Sequence, residues 1–164
     1  MDWRITTFTE LTRDELYDVL SLRNQVFVVE QRCAYLDVDG RDKASRHVMA
    51  HEDGRLLAYC RFLPPEESCP DWTIWRVVVA PSARGRGLGH DLMRRAIAAI
   101  QQAGGTSIHL SGQAHLRAFY ESHGFTVVSA PYGERIPHLS MRWTEGDAGV
   151  GRFYAGGSQS PCDG

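Results

Sequence analysis

Residues 76–89 (RVVVAPSARGRGLG) run from a β-branched, apolar segment through a turn into a glycine-rich loop, and an amphipathic segment follows directly. That order makes an anion site. The first N–H groups of a helix lack intrahelical partners and carry partial positive charge. Glycine lets an oxyanion approach the backbone closely. Arg84 and Arg86 add full charges on planar forks that suit phosphate oxygens. A tight strand-to-helix turn would use the same glycines for geometry alone. Two nucleotide loops fail on spacing. A Walker A loop needs a lysine, and none is present here. A dinucleotide fingerprint follows the first strand of a repeated parallel unit, whereas Gly85, Gly87 and Gly89 alternate in mid-chain.

Further segments extend the pattern. Arg84–Gly89 fits R/Q-x-x-G-x-G/A, and residues 118–125 (AFYESHGF) place an aromatic residue a few positions before Gly-Phe. Residues 22–42, 109–125 and 135–141 add three more stretches. Together they resemble the GCN5-related N-acetyltransferases (the GNAT superfamily), in particular its bacterial ElaA-like branch, over about residues 3–143. The resemblance implies acyl-CoA-dependent N-acyltransferase activity with acetyl-CoA as cosubstrate and no metal. It implies that Arg84, Gly85, Arg86, Gly87, Leu88 and Gly89 hold the pyrophosphate. The backbone of Val77, Val78 and Val79 would follow the pantetheine arm, with an N–H at the strand's end polarising the thioester carbonyl. Arg117 and Tyr120 would also meet the cofactor, and Tyr120 would protonate the leaving thiolate. Many members carry an asparagine after the fifth strand. Here the segment is Ser111-Gly112-Gln113, so Gln113 or Ser111 takes that place.

An amine acceptor must lose a proton to attack, because a free alkyl amine is mostly protonated at neutral pH. Glu30, His115 and His138 are the candidates to take it, directly or through water. Asp37, Asp39 and Asp42 form an acidic stretch that reads as a solvated loop or as a steering field for a cationic substrate. It is not a calcium loop: with Gly40 sixth, Tyr35 stands first and Arg46 twelfth, where acids are required. His47 and His51 share a strand face without an evident third ligand, so no zinc site is expected.

These residues need a scaffold. Strands are expected at 3–8, 46–52, 55–63, 72–79, 106–111, 125–129 and 138–143, with Asp53-Gly54 as a hairpin turn. Helices are expected at 13–31, at about 87–103 and at 113–123. The β-branched VFVV end of the first is expected to unwind early. Residues 32–45 and 64–70 read as loops. The order defines an α/β (α+β) chain with a single central mixed, mainly antiparallel sheet flanked by helices. One domain would span 1–143. Residues 144–164 form a Gly/Ser-rich tail, mobile unless Phe153-Tyr154 docks it.

The 164 residues suit one domain, and 43% hydrophobic and 23% charged content is ordinary for a soluble globular protein. A net charge of −2 argues against nucleic acid as a partner. Lys43 stands alone among arginines, which fits codon usage as well as phosphate recognition. No signal-peptide pattern or membrane-length apolar run is visible, and the four cysteines form no C-x-x-C pair. The chain therefore reads as cytoplasmic, off the membrane, with reduced thiols, and as a monomer or homodimer. The function expected is acetyl transfer to an amine, of a small molecule, by direct transfer in a ternary complex. A protein lysine or N-terminal acetyltransferase and a noncatalytic acetyl-CoA sensor remain as alternatives.

Overall fold

The computed structural model describes residues 1–146 and Cys162. Seven strands form one mixed sheet in the order β1-β2-β3-β4-β5-β7-β6. They are β1 (Asp2–Thr7), β2 (Arg46–Glu52), β3 (Arg55–Leu63), β4 (Trp72–Val79), β5 (Ser107–Gln113), β6 (Thr126–Val127) and β7 (His138–Thr144). β1–β2, β2–β3, β5–β7 and β6–β7 pair antiparallel, and β4–β5 is the parallel step, with Trp72 opposite Ile108 and Thr73 opposite His109. Among the described residues three α-helices accompany the sheet, α1 (Arg13–Arg23), α2 (Leu88–Gln102) and α3 (Arg117–Glu121), with a π-helix and short 3₁₀ turns between elements.

Local chemistry accounts for the boundaries. Thr12 accepts the N–H of Glu15 at 3.1 Å, and Glu15 accepts the N–H of Thr12 at 2.9 Å, a reciprocal cap that starts α1. Asp53 and Gly54 take φ values of 51° and 74°, the two positive values a two-residue hairpin turn needs. Pro81 opens a short 3₁₀ turn after β4. α2 buries Leu92, Met93, Ala96 and Ile100 completely along one stripe.

One boundary differs from expectation. The chain does not unwind at VFVV but continues from α1 as a π-helix over Asn24–Glu30. Gln31 donates to the carbonyl of Val26 and Cys33 to that of Val28, both at 3.1 Å. The wider turn relieves the crowding that β-branched side chains meet in an α-helix. It also carries Glu30 to the end of a continuous helical rod. Residues 41–44, expected as loop, form a 3₁₀ turn. β6 keeps only two residues, and 113–123 divides into a 3₁₀ turn and the short α3.

The chain forms two compact units. The first comprises Met1–Leu63 and Trp75–Ala96, and the second begins with Pro64–Ile74 and resumes at Ile97. In the first, Val19, Val48, Met49, Ala58, Tyr59 and Phe62 make the core; in the second, Ile108, Leu110, Phe125, Val128 and Met141 do. Among the described residues no helix is long and apolar enough to cross a membrane. Phe153 and Tyr154 lie outside the described residues.

Candidate active site

In the first unit the end of β4 is tied to β3, with Ala80 donating its N–H to the carbonyl of Leu57 at 2.8 Å. The loop then turns through Gly85 and Gly87 at φ 79° and 78°, values other residues adopt only with strain. A Cβ at either position would meet nothing within 4 Å, so conformation and not crowding demands glycine there. Gly87 accepts from His90 and Asp91 at 3.1 and 3.2 Å, which sets the first turn of α2. The side chain of Leu88 is buried, so it offers the loop only its backbone.

Both loop arginines are exposed and each holds a carboxylate. Arg84 lies 2.9 Å from Glu30, at the end of the π-helix. Arg86 grips both oxygens of Glu52 at 2.9 Å each, and this pairing lowers the Glu52 pKa and raises that of Arg86. Glu30, expected on the acceptor side, therefore sits against the glycine loop. Glu52 was not anticipated, since no motif links it to Arg86.

Beside β4 in the same unit lies a buried ionic network. Arg23 is fully buried and donates to Asp37 at 2.8 Å, to Asp42 at 2.6 Å and to the Asp37 carbonyl at 2.9 Å. Arg61, also fully buried, donates to Asp42 at 2.6 Å and grips both oxygens of Asp39. Arg76 donates to Asp37 at 2.8 Å. The three guanidinium charges match the three carboxylates, and Arg41, Arg61 and Arg76 also lie over the Trp75 ring. Burial alone would raise the Asp39 pKa, but the hydrogen bond and charge of Arg61 outweigh it and bring it to about 2. Burial acts likewise on Asp42, where Arg23 and Arg61 pull the pKa below the usual carboxylate range. Burial, joined by Asp37, pushes the Tyr35 phenol up to about 12.

This corrects the reading of Asp37, Asp39 and Asp42 as a solvated or steering loop. Their partners stand 14 to 39 residues away in sequence, so the acids look unpaired in the primary structure. The visible signal was an arginine inside the apolar run WTIWRVVV. His47 joins the same core: its ring nitrogens meet the Tyr59 hydroxyl at 2.8 Å and the Asp42 carbonyl at 2.9 Å. Burial lowers its pKa.

In the second unit Tyr120 is buried, with its ring edge-on to Phe119 and Phe125. Gly112 makes room for it: a Cβ there would come within 2.6 Å of the tyrosine ring. Gln113 ends β5 opposite His138 on β7. His138 is half-buried, stacks on Tyr132 and has Nδ1 2.6 Å from the carbonyl of Ile136. A carbonyl only accepts, so Nδ1 carries the proton and the neutral ring keeps its lone pair on Nε2. Tyr132 in turn hydrogen-bonds Ser111. His115 is exposed, and Arg117, also exposed, pairs with Glu121 on its own helix at 2.7 Å. The unit thus gathers Tyr120, Gln113 and His138 around the end of β5.

The thiols depart from expectation. Cys69 and Cys162 form a disulfide across 93 residues, while Cys33 and Cys60 are free. Asp71, His109 and Cys162 bring ligand atoms within 4.8 Å of one another, a donor set a metal could use. Here the Cys162 sulfur is committed to Cys69, and Asp71 lies 2.8 Å from Arg142.

The mixed sheet and the arginine-flanked loop define the acyl-CoA N-acyltransferase class. Residues 5–125 match the acetyltransferase (GNAT) family model, and the chain belongs to that family. It is similar to the crystal structure of an acyl-CoA N-acyltransferase from Pseudomonas aeruginosa, with 46% identity and a TM-score of 0.82, covering 88% of this chain and 100% of that one. Escherichia coli ElaA is 37% identical over 145 residues, covering 86% of this chain and 95% of ElaA. The ElaA crystal structure superimposes with a TM-score of 0.82 over 87% and 98% of the two chains. A Schizosaccharomyces pombe protein is 41% identical over 139 residues, covering 82% of this chain and 91% of its own, so relatives extend beyond bacteria. The expected fold and the ElaA-like resemblance hold, and the chain is an acyl-CoA-dependent N-acyltransferase.

Proposed function

We propose that the chain transfers acetyl from acetyl-CoA to the amine of a small molecule, directly, within a ternary complex. The observation that carries this reading is the loop at the start of α2, where two glycines at positive φ stand between and beside two exposed arginines. Glu30 and Glu52 act as stand-ins for phosphate: a pyrophosphate brings more charge than either carboxylate and displaces them from Arg84 and Arg86. The backbone of Val77–Val79 holds the pantetheine arm and polarises the thioester carbonyl.

The amine nitrogen attacks the carbonyl carbon, the C–N bond forms, and the C–S bond breaks. The leaving thiolate takes the phenolic proton of Tyr120, and the phenol regains a proton from solvent; a thiol pKa of about 8.5 makes that thiolate a fair leaving group. The ammonium proton passes to a base. His138 is the best-supported candidate, because the Ile136 carbonyl fixes the tautomer that leaves Nε2 basic. Glu30 is less suited, since it stands beside Arg84 at the phosphate end of the cosubstrate and not at the thioester. No covalent enzyme intermediate is required, so the buried Cys60, whose pKa burial raises, needs no part.

A panel of small amines, assayed by mass spectrometry for N-acetyl products, tests the reading. Tyr120→Phe should lower turnover by about tenfold or more while leaving acetyl-CoA affinity unchanged. Equal turnover in both proteins would remove Tyr120 from the mechanism. Acetylation of peptides in place of small amines would move the acceptor to protein.

A further inference from the structure

Arg76 takes φ +59° in the middle of β4. The other described non-glycine residues at positive φ are Arg32, just past the π-helix, and Asp53, in the hairpin turn, both places where such a value is ordinary. Within a strand it bends the backbone and re-aims the residues that follow, and a side chain with a Cβ adopts it only when its surroundings hold it there.

The surroundings of Arg76 do so from buried anchors. Its Nε donates to Asp37 Oδ1 at 2.8 Å, and one of its terminal nitrogens reaches the Asp37 carbonyl at 3.2 Å. Asp37 is itself fixed by Arg23 on Oδ2 at 2.8 Å and by the Tyr35 hydroxyl, which shares Oδ1 with Arg76, at 3.0 Å. The far end of the same segment is pinned by the hydrogen bond from Ala80 to Leu57. Val77–Val79 therefore lie between two fixed points, with the irregular residue immediately before them.

We infer that Arg76 is a positioning residue for acyl transfer: the Arg23–Asp37–Arg76 chain holds the backbone turn in β4 that aims the amides of Val78 and Val79 at the thioester carbonyl. The inference rests on the proposed use of that strand by acetyl-CoA. It assigns the network a function beyond packing, since Arg76 ties the irregular residue to Asp37 at 2.8 Å and to Asp39 at 3.4 Å. It also assigns the strain a sign: glycine, which adopts positive φ freely, should substitute for arginine better than a β-branched residue does.

Acetyl-CoA labelled with ¹³C at the acetyl carbonyl gives a direct readout without any acceptor. Infrared difference spectra of the bound label report how strongly the protein polarises that carbonyl. Wild type should shift the band below its position in water. Arg76→Val should move it at least half-way back while calorimetric affinity for acetyl-CoA stays within about threefold, because the phosphate loop is untouched. Arg76→Gly, which loses the same ion pairs, should keep most of the wild-type shift. A wild-type shift retained in Arg76→Val overturns the inference, and so does an equal loss in both variants, which would mark a merely structural role. Where Arg76→Val does not fold, Asp37→Asn loosens the same anchor and should give a partial loss; an unmoved band overturns the inference. Failure of wild type to bind acetyl-CoA removes the underlying reading first. Binding without any shift removes the aiming role alone.

Discussion

Two sets of arginine–carboxylate pairs lie in the first unit, and they differ in the water they see. In the network of Arg23 and Arg61 with Asp37 and Asp42, no side chain is more than 8% exposed. In the loop pairs Arg84–Glu30 and Arg86–Glu52, none is less than 34% exposed. The chemistry is the same and the consequence is opposite. A buried pair cannot be broken one partner at a time without leaving an uncompensated charge in low dielectric, so it fixes backbone. An exposed pair is screened and competes with water, so it exchanges readily for a better anion. The fold uses arginine in both ways, one set buried beside β4 and the other exposed where the proposed function has it receive phosphate.

The largest effect that tests this contrast is Asp42→Ala. Its carboxylate bridges Arg23 and Arg61 at 2.6 Å each, and removal should cost about 3–5 kcal/mol in urea unfolding. A cost below about 1 kcal/mol would place the network among ordinary surface pairs.

Acid should reveal the same network. Asp39 and Asp42 have folded pKa values below their unfolded ones, near 2 for Asp39. Their contribution is complete above the unfolded value of about 4 and is lost as pH falls from there through the folded values. His47, lowered from 6.5 by burial, adds an earlier step. The unfolded chain takes up its proton first, so stability begins to fall below about pH 6.5. Urea midpoints against pH should show both steps, and His47→Gln should remove the upper one. A profile flat down to pH 3 would contradict the buried pairing.

The smallest effects belong to the exposed pairs. Glu30→Gln and Glu52→Gln should leave thermal stability nearly unchanged. Each should tighten acetyl-CoA binding by up to about fivefold, because its arginine no longer has a competing anion, and the gain should fade in high salt. Weaker binding in either variant would mean that the glutamate supports the loop.

The sequence was readable where neighbours in the chain decide the structure. β2, β3, β4, the Asp53-Gly54 hairpin and α2 follow from period and turn chemistry, and the glycine loop from its spacing. It was opaque where partners come from afar. Asp37 pairs with arginines 14 and 39 residues away, and Cys69 with a cysteine 93 residues on; no local pattern encodes either. Glu30 was named from its chemistry, but only the π-helix places it against Arg84. Tyr132, which supports His138, carries no motif at all.

On the proposed function the loop at Gly85–Gly89 binds the phosphates of acetyl-CoA. Calorimetric titration of acetyl-CoA into wild type and Gly87→Glu tests it most directly. Gly87 sits at φ 78°, and glutamate there adds backbone strain and a negative charge. Wild type should bind with micromolar affinity, and the folded variant should not bind. A folded wild type that does not bind, or a variant that binds equally well, would contradict it.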